Sequence, residues 1–183
     1  MIIPNPNVQT PPILAAVDLD AHGQRCLGYA WQRALHSGEP VVVAHVAHET
    51  MGTAGSYQRR NRAHRPLPMT EIARQLLNEL VDDFLHQTPD PTAVAVERLV
   101  LTGIPGTRIP ELARYLSAGA IVIGSSDASP WRRLFRGSVT GTVLRRAPCP
   151  VVVINEAGDP ICHHGMLPDR SARADSQSLL GLP

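Results

Sequence analysis

Five short segments rich in valine, isoleucine, leucine and alanine recur along the chain, separated by longer stretches with helical patterns. The short segments cover residues 13–18, 41–46, 93–101, 120–123 and 151–154. Most of them are apolar at every position, which is typical of strands buried on both faces, whereas 93–101 alternates. This order predicts an α/β fold, a five-stranded parallel sheet with helices on both faces.

The helical patterns lie between these predicted strands, at 22–37, 69–84, 105–116 and 138–146. In 69–84 the apolar residues recur at intervals of three and one, as on one face of an amphipathic helix. In 22–37 the predicted apolar face is formed by Cys26, Leu27, Ala30, Ala34 and Leu35, and Gly38 supplies the stop. The chain therefore has a helix for each crossover of a parallel sheet.

At 183 residues and 43% hydrophobic composition, the chain can bury one core and is expected to be a single domain. We expect a lead at 1–11, the domain at 12–156 and a flexible, polar tail at 157–183. The start of the chain has neither a basic end nor a long apolar run, and no segment approaches the roughly 20 apolar residues of a membrane span. The expected location is cytoplasmic, without membrane insertion.

The charge balance excludes several classes of function. A formal net charge of +1 and only 4% aromatic residues argue against nucleic-acid binding. Every basic residue is arginine, which removes a phosphate-loop lysine and Schiff-base chemistry. The three cysteines are scattered and form no metal-type pair, so reduced thiols are expected.

The strongest functional signal is the passage from the fourth strand into the last helix. The strand 120–123 ends at Gly124-Ser125, an arginine-containing loop follows, and Gly137-Ser138 precede the helix. A strand, a glycine-containing loop and a helix N-terminus bring free N–H groups and a positive dipole end to one point, which favours a phosphate. Asp18 ends the first strand, so neighbouring first and fourth strands would form the two walls of one crevice at the switch point of the sheet.

Several of these residues also have purely structural interpretations. Asp18, Ser138 and Thr140 are all of types that cap helices, although Asp20 is the better candidate to cap the first helix. His45 lies inside a strand and is predicted to be a packed, hydrogen-bonded core residue. The arginines at 59–65 are interpreted as a solvated loop.

The chain resembles the universal stress protein family over roughly residues 12–155. The matching elements are Asp18, Ala44-His45-Val46, Gly103-Ile104-Pro105, 121–125, Gly137-Ser138-Val139 and, most specifically, 143–154. The resemblance implies a Rossmann-like fold similar to that of the adenine nucleotide alpha hydrolases. It also implies ATP or a related adenine nucleotide as ligand, with the residues matching Asp18 and Val46 at the adenosine end and the loop glycines and Ser138 at the phosphates.

The predicted nucleotide site thus comprises Asp18, Val46, Gly124, Ser125, Gly137, Ser138, Val139 and Thr140. The family's glycine motif is retained at Gly124 and at Gly137, but its second glycine is replaced by Asp127. A carboxylate there repels a phosphate, whereas Arg132, Arg133 and Arg136 in the same loop attract one.

The sequence shows no catalytic set. At most, Asp18 and Asp127 would hold Mg²⁺ on ATP and permit slow hydrolysis. The functional hypothesis is a nucleotide-gated stress-response regulator of an unknown protein. The alternative is a signalling or scaffold protein that binds no nucleotide, in which Asp127 closes the phosphate site and 131–135 form an interaction surface. Relatives commonly dimerise through the last strand, so a homodimer through Val151–Ile154 at the sheet edge is expected.

Overall fold

The computed structural model describes residues 10–48, 68–125 and 138–164. In this part of the chain six strands form one sheet: β1 (Ile13–Ala16), β2 (Val41–Ala47), β3 (Val96–Thr102), β4 (Ala120–Gly124), β5 (Val151–Ile154) and β6 (Pro160–His164). The described helices are α1 (Ala21–Ser37), α2 (Met69–His86), α3 (Pro105–Tyr115) and α4 (Val139–Arg146). The predicted α/β fold is confirmed, with six strands in place of five.

The strand order in the sheet is β3-β2-β1-β4-β5-β6, and the first five strands are parallel. From β1 the chain adds β2 and β3 on one side, then returns to place β4 on the other side of β1. Strands β1 and β4 therefore flank the point where the order reverses, and Ala16 pairs with Ile123 at their carboxyl ends. The first and fourth strands are thus neighbours, which is the condition on which a crevice shared by them depends.

The sixth strand corrects the expectation that β5 lies at the sheet edge. Residues 160–164, within the segment expected to be a flexible tail, pair antiparallel with β5, so that Val152 lies opposite His163. A turn at 155–159 makes this return possible, because the Asn155 side chain accepts hydrogen bonds from the N–H groups of Ala157 and Asp159 at 2.9 and 2.8 Å. The predicted dimer contact through Val151–Ile154 is thus covered by β6 within one chain.

Two hydrophobic cores lie on opposite faces of the sheet because successive strand residues point to opposite sides. In β1, Ile13 and Ala15 face α1 and α2, and Leu14 and Ala16 face α3 and α4. All four are buried. This double covering explains why β1, β2, β4 and β5 are apolar at nearly every position.

The face of α1 differs from its prediction at two residues. Leu35 is 45% exposed, whereas Trp31 is 2% exposed and was not assigned to the apolar face. The Trp31 ring lies edge-on to Phe84 of α2, with ring centroids 5.7 Å apart. Because the indole is the larger apolar surface, the helix buries it against α2 and leaves Leu35 at the rim.

No helix in the described ranges 10–48, 68–125 and 138–164 is both long and apolar enough to cross a membrane.

Candidate functional site

A crevice opens at the carboxyl ends of β1, β2 and β4, at the reversal point of the sheet. The space between its walls amounts to about 580 Å³, including the part open to solvent. The enclosed part of the crevice holds only about 100 Å³. That is below the roughly 300–1,000 Å³ usual for small-molecule sites, so a ligand would extend into the part open to solvent. Ligands of open α/β sheets bind at such a position.

Five of the eight predicted site residues line this crevice together. They are Asp18, Val46, Gly124, Val139 and Thr140. Asp18 is exposed and follows β1, whereas Val46 is buried near the end of β2. The structure therefore brings together both residues assigned to the adenosine end, one glycine assigned to the phosphate end, and two further residues of the predicted site.

Two of the remaining three predicted residues are described, and neither lines this crevice. Ser125 is buried, its N–H donates to the carbonyl of Ile154 at 2.8 Å, and it lines an adjoining cavity that also contacts Asp18. Ser138 is the N-cap of α4, because its hydroxyl accepts a hydrogen bond from the N–H of Gly141 at 3.0 Å. Gly137 lies outside the described residues.

The motif's other features also lie outside the described residues. They are Asp127, the arginines Arg132, Arg133 and Arg136, and the apolar segment 131–135. The arginines of 59–65 do so as well. The second-glycine position and the loop charges therefore stay predictions.

Two structural interpretations made from the sequence are confirmed. Asp20 caps α1, because its carboxylate accepts hydrogen bonds from the N–H groups of His22 and Gly23 at 2.9 and 3.0 Å. His45 is a packed core residue whose ring Nδ1 donates to the carbonyl oxygen of Val17 at 2.9 Å. This bond holds the last residue before Asp18 against β2, which fixes where β1 ends.

The crevice residues contributed by α1 and α3 were not predicted from the sequence. His22 and Cys26 of α1 line one side, and Pro105 and Ile109 of α3 line the other. The signal for His22 and Cys26 was their spacing of four, which places both on one face of a helix that begins at the end of β1.

Gly124 has a steric role that involves His22. A Cβ atom built on Gly124 would overlap the His22 ring at Nε2 and would lie 3.3 Å from the Cys26 sulfur. Because Gly124 has no side chain, the His22 imidazole can pack against the main chain at position 124 and line the crevice.

The thiol of Cys26 is held in its neutral form. Burial is the main cause that raises its pKa to about 12, and the charges of Asp18 and Asp20 act in the same direction. A thiol of this kind is a poor nucleophile at neutral pH. Cys26 is thus part of the wall and not a reactive group.

The surroundings of the crevice are electrostatically mixed. Asp18, Asp20 and Glu156 line the adjoining cavity together with Arg25. The first turn of α4 adds the positive end of its helix dipole. The chain is thus a doubly wound α/β protein, a class whose ligands bind at the reversal point of the sheet.

The comparisons with known proteins specify this class. The model of the universal stress protein family matches residues 10–155, and the chain belongs to that family. A universal stress protein of Methanocaldococcus jannaschii is 29% identical over 89 residues, which are 47% of this chain and 52% of that protein. The chain thus matches about half the length of that curated relative.

Solved structures show the same fold. A universal stress protein in complex with cAMP has a TM-score of 0.57 and 18% identity, covering 79% of this chain and 96% of its own. The protein from Archaeoglobus fulgidus in complex with dAMP has a TM-score of 0.54 and 23% identity, covering 80% and 98%. Both likenesses extend over nearly the whole of the solved chains.

Proposed function

We propose that this universal stress protein binds an adenine nucleotide in the crevice between β1 and β4, and that occupancy regulates a partner protein. The observation that supports this most directly is the convergence of Asp18, Val46, Gly124, Val139 and Thr140 on one cavity. These residues come from β2, β4, α4 and the segment after β1, which are separated in the sequence. Related proteins of the same fold bind cAMP and dAMP.

The lining separates into parts that suit the two ends of a nucleotide. Val46, Pro105 and Ile109 provide an apolar wall against which a purine ring would pack. The exposed carboxylate of Asp18 is a hydrogen-bond acceptor suited to ribose hydroxyls. Gly124 and the first turn of α4 stand where the phosphate would lie.

ATP as the physiological ligand, with Mg²⁺ on its phosphates, is the finer form of the proposal. The carboxylate of Asp18 lines the crevice and would be one ligand of Mg²⁺. Asp127 is proposed as the second ligand. In this form the bound nucleotide is a signal, and hydrolysis is slow or absent. Comparing ATP turnover by wild type and Asp127→Ala tests the hydrolysis; equal background rates would remove it.

Calorimetric titration tests the binding itself. The full chain, freed of co-purified nucleotide, is titrated with AMP, cAMP and Mg-ATP, alongside Asp18→Ala and Asp83→Ala. Asp83 is an exposed carboxylate of α2 and is not among the crevice residues, so it controls for the loss of one negative charge. We expect Asp18→Ala to weaken binding by roughly tenfold, the effect of losing a hydrogen bond to a charged group, and Asp83→Ala to leave it unchanged.

The outcomes separate the two functional hypotheses. Binding that is lost in Asp18→Ala alone supports a nucleotide-gated regulator. Absence of binding in wild type, with binding gained in Asp127→Gly, would contradict the proposal and favour a scaffold whose phosphate site is closed.

A further inference from the structure

One side chain of the crevice has unmet hydrogen-bonding capacity. His22 follows the first residue of α1, and both of its ring nitrogens are buried without a hydrogen-bond partner in the described part of the chain. The ring contacts both the crevice and the adjoining cavity, so it stands between the two. Buried polar groups are almost always paired, and an unpaired one marks a site that a ligand or water completes.

The other histidines with described ring contacts behave differently. His36 and His86 each place ring Nδ1 against a main-chain carbonyl oxygen one turn earlier, at 2.6 and 2.7 Å. His45 makes the corresponding bond to Val17. These three rings have partners within the fold, whereas the ring nitrogens of His22 have none among residues 10–48, 68–125 and 138–164.

The position of the ring indicates the chemistry of that partner. His22 lies against Gly124, at the carboxyl end of β4, and Val139 and Thr140 of the first turn of α4 line the same crevice. A group bound there would meet an imidazole N–H and the positive end of a helix dipole together. Both favour an anionic oxygen ligand, and an imidazolium provides two donors where the neutral ring provides one.

Several described elements contribute titratable groups to the two cavities that His22 lines. These groups are Asp18 and Asp20 before α1, Arg25 and Cys26 on α1, His45 on β2 and Glu156 after β5. Cys26 is neutral at physiological pH because burial raises its pKa to about 12. The described charged groups are therefore three carboxylates and one guanidinium, and a bound phosphate would add further negative charge.

We propose that His22 is a phosphate-binding residue of the crevice and that the nucleotide binds together with a proton on this imidazole. The inference rests on the proposed nucleotide-binding function and adds a specific contact and a pH response to it. Histidine changes charge between about pH 5 and pH 8, so a proton-linked affinity would respond within the physiological range.

Calorimetry with cAMP and AMP tests the inference. The ligands are chosen so that their own charge does not change over the pH range. The phosphodiester of cAMP keeps one negative charge at every pH used. AMP is used only above about pH 7, because the second ionisation of its phosphate lies near pH 6. We expect wild-type affinity for both to fall about tenfold between about pH 7 and pH 8.5, because a charge-assisted hydrogen bond is lost. Titration in two buffers of different ionisation enthalpy should show proton uptake on binding.

The variants are His22→Gln and, as a matched control on the same helix, His36→Gln. Glutamine keeps an N–H donor but cannot take a proton, so His22→Gln should bind more weakly near pH 7 and without the pH dependence. His36→Gln should behave as wild type. Proton uptake by wild type is a readout that a merely structural role of His22 would not produce, and it needs no variant to fold.

Three results would overturn the inference. Wild-type binding without pH dependence or proton uptake would do so, as would an unchanged pH profile in a folded His22→Gln variant. Both would leave nucleotide binding itself intact. Absence of cAMP and AMP binding by wild type at every pH would instead overturn the proposed function and, with it, the role of His22.

Discussion

Thr140 donates a hydrogen bond from its hydroxyl to the carbonyl oxygen of Gly124 at 3.0 Å. Thr140 lies in the first turn of α4, and Gly124 is the last residue of β4. The bond therefore joins the start of the helix to the end of the strand on either side of a loop. A residue predicted to contact the nucleotide directly is thus also a residue that positions the phosphate end of the crevice.

Thr140→Val should lower the free energy of unfolding by about 1 kcal/mol, because the buried hydroxyl is lost and the Gly124 carbonyl loses its partner. We also expect weaker adenine-nucleotide binding, since the first turn of α4 is no longer tied to β4. Urea denaturation and calorimetric titration measure the two effects.

Thr142→Val is the matched control. Its hydroxyl bonds the Ser138 carbonyl at 3.0 Å, but that carbonyl also accepts the Thr142 N–H, so no acceptor is left unpaired. Thr142 is also not among the residues that line the crevice. Its substitution should leave nucleotide affinity unchanged; equal losses of affinity in both variants would show that the Thr140 bond has no special role.

Gly124→Ala should destabilise the protein by roughly 1–3 kcal/mol, because the added methyl group would overlap the His22 ring. His22→Ala removes the obstacle, so the double variant should be more stable than the sum of the two single effects predicts. Urea denaturation of all four proteins gives the coupling energy. Additive effects would contradict a direct contact between the two residues, whatever the protein binds.

The two described thiols give the stability a defined pH dependence. Burial raises the pKa of Cys26 to about 12 and that of Cys149 to about 11, against an ordinary value of 9.0. Above about pH 9 the unfolded chain loses these protons while the folded protein keeps them, so stability is full below that pH and falls as the pH rises towards 11 and 12. Cys26 contributes a slope of up to about 1.4 kcal/mol per pH unit, and the half-buried Cys149 contributes a smaller one because solvent still reaches it.

Cys26→Ala should reduce this alkaline slope in urea denaturation series from about pH 8 to pH 10, and Cys149→Ala should reduce it independently. In the same range both thiols of the native protein should react slowly with iodoacetamide, and rapidly after unfolding. Fast labelling of Cys26 in the folded protein, located by peptide mass spectrometry, would show that it is not buried as described.

Much of this fold could be predicted because its signals are local. The apolar runs of β1, β2, β4 and β5 are buried on both faces, and strands of that kind stand out in any sequence. Strand β6 gave no such signal: Pro160-Ile161-Cys162-His163-His164 is short and mixed in polarity. It forms because β5 offers an unpaired edge and the turn at Asn155 returns the chain to it, which is a tertiary effect.

The site was predictable where the main chain determines it. Asp18 and Gly124 follow strands that the parallel order places side by side, so their meeting follows from topology. The position of His22 does not follow from topology. It depends on the rotation of α1 about its axis and on the space that Gly124 leaves by having no side chain. Whether a histidine on a helix faces solvent or a crevice is settled by packing and not by its own sequence context.

Strand β6 should control self-association of the chain. It pairs antiparallel with β5, and a second copy of β5 related by a twofold axis would present the same antiparallel edge. Deleting residues 158–183 exposes that edge, and an unpaired apolar strand tends to pair with another chain. We expect the shortened chain to dimerise at micromolar concentration and a chain ending at residue 166, which keeps β6, to pair no more than the full chain does. Sedimentation velocity distinguishes monomers from dimers of the two shortened chains. If the chain that lacks residues 158–183 stays monomeric, β6 does not prevent pairing through β5.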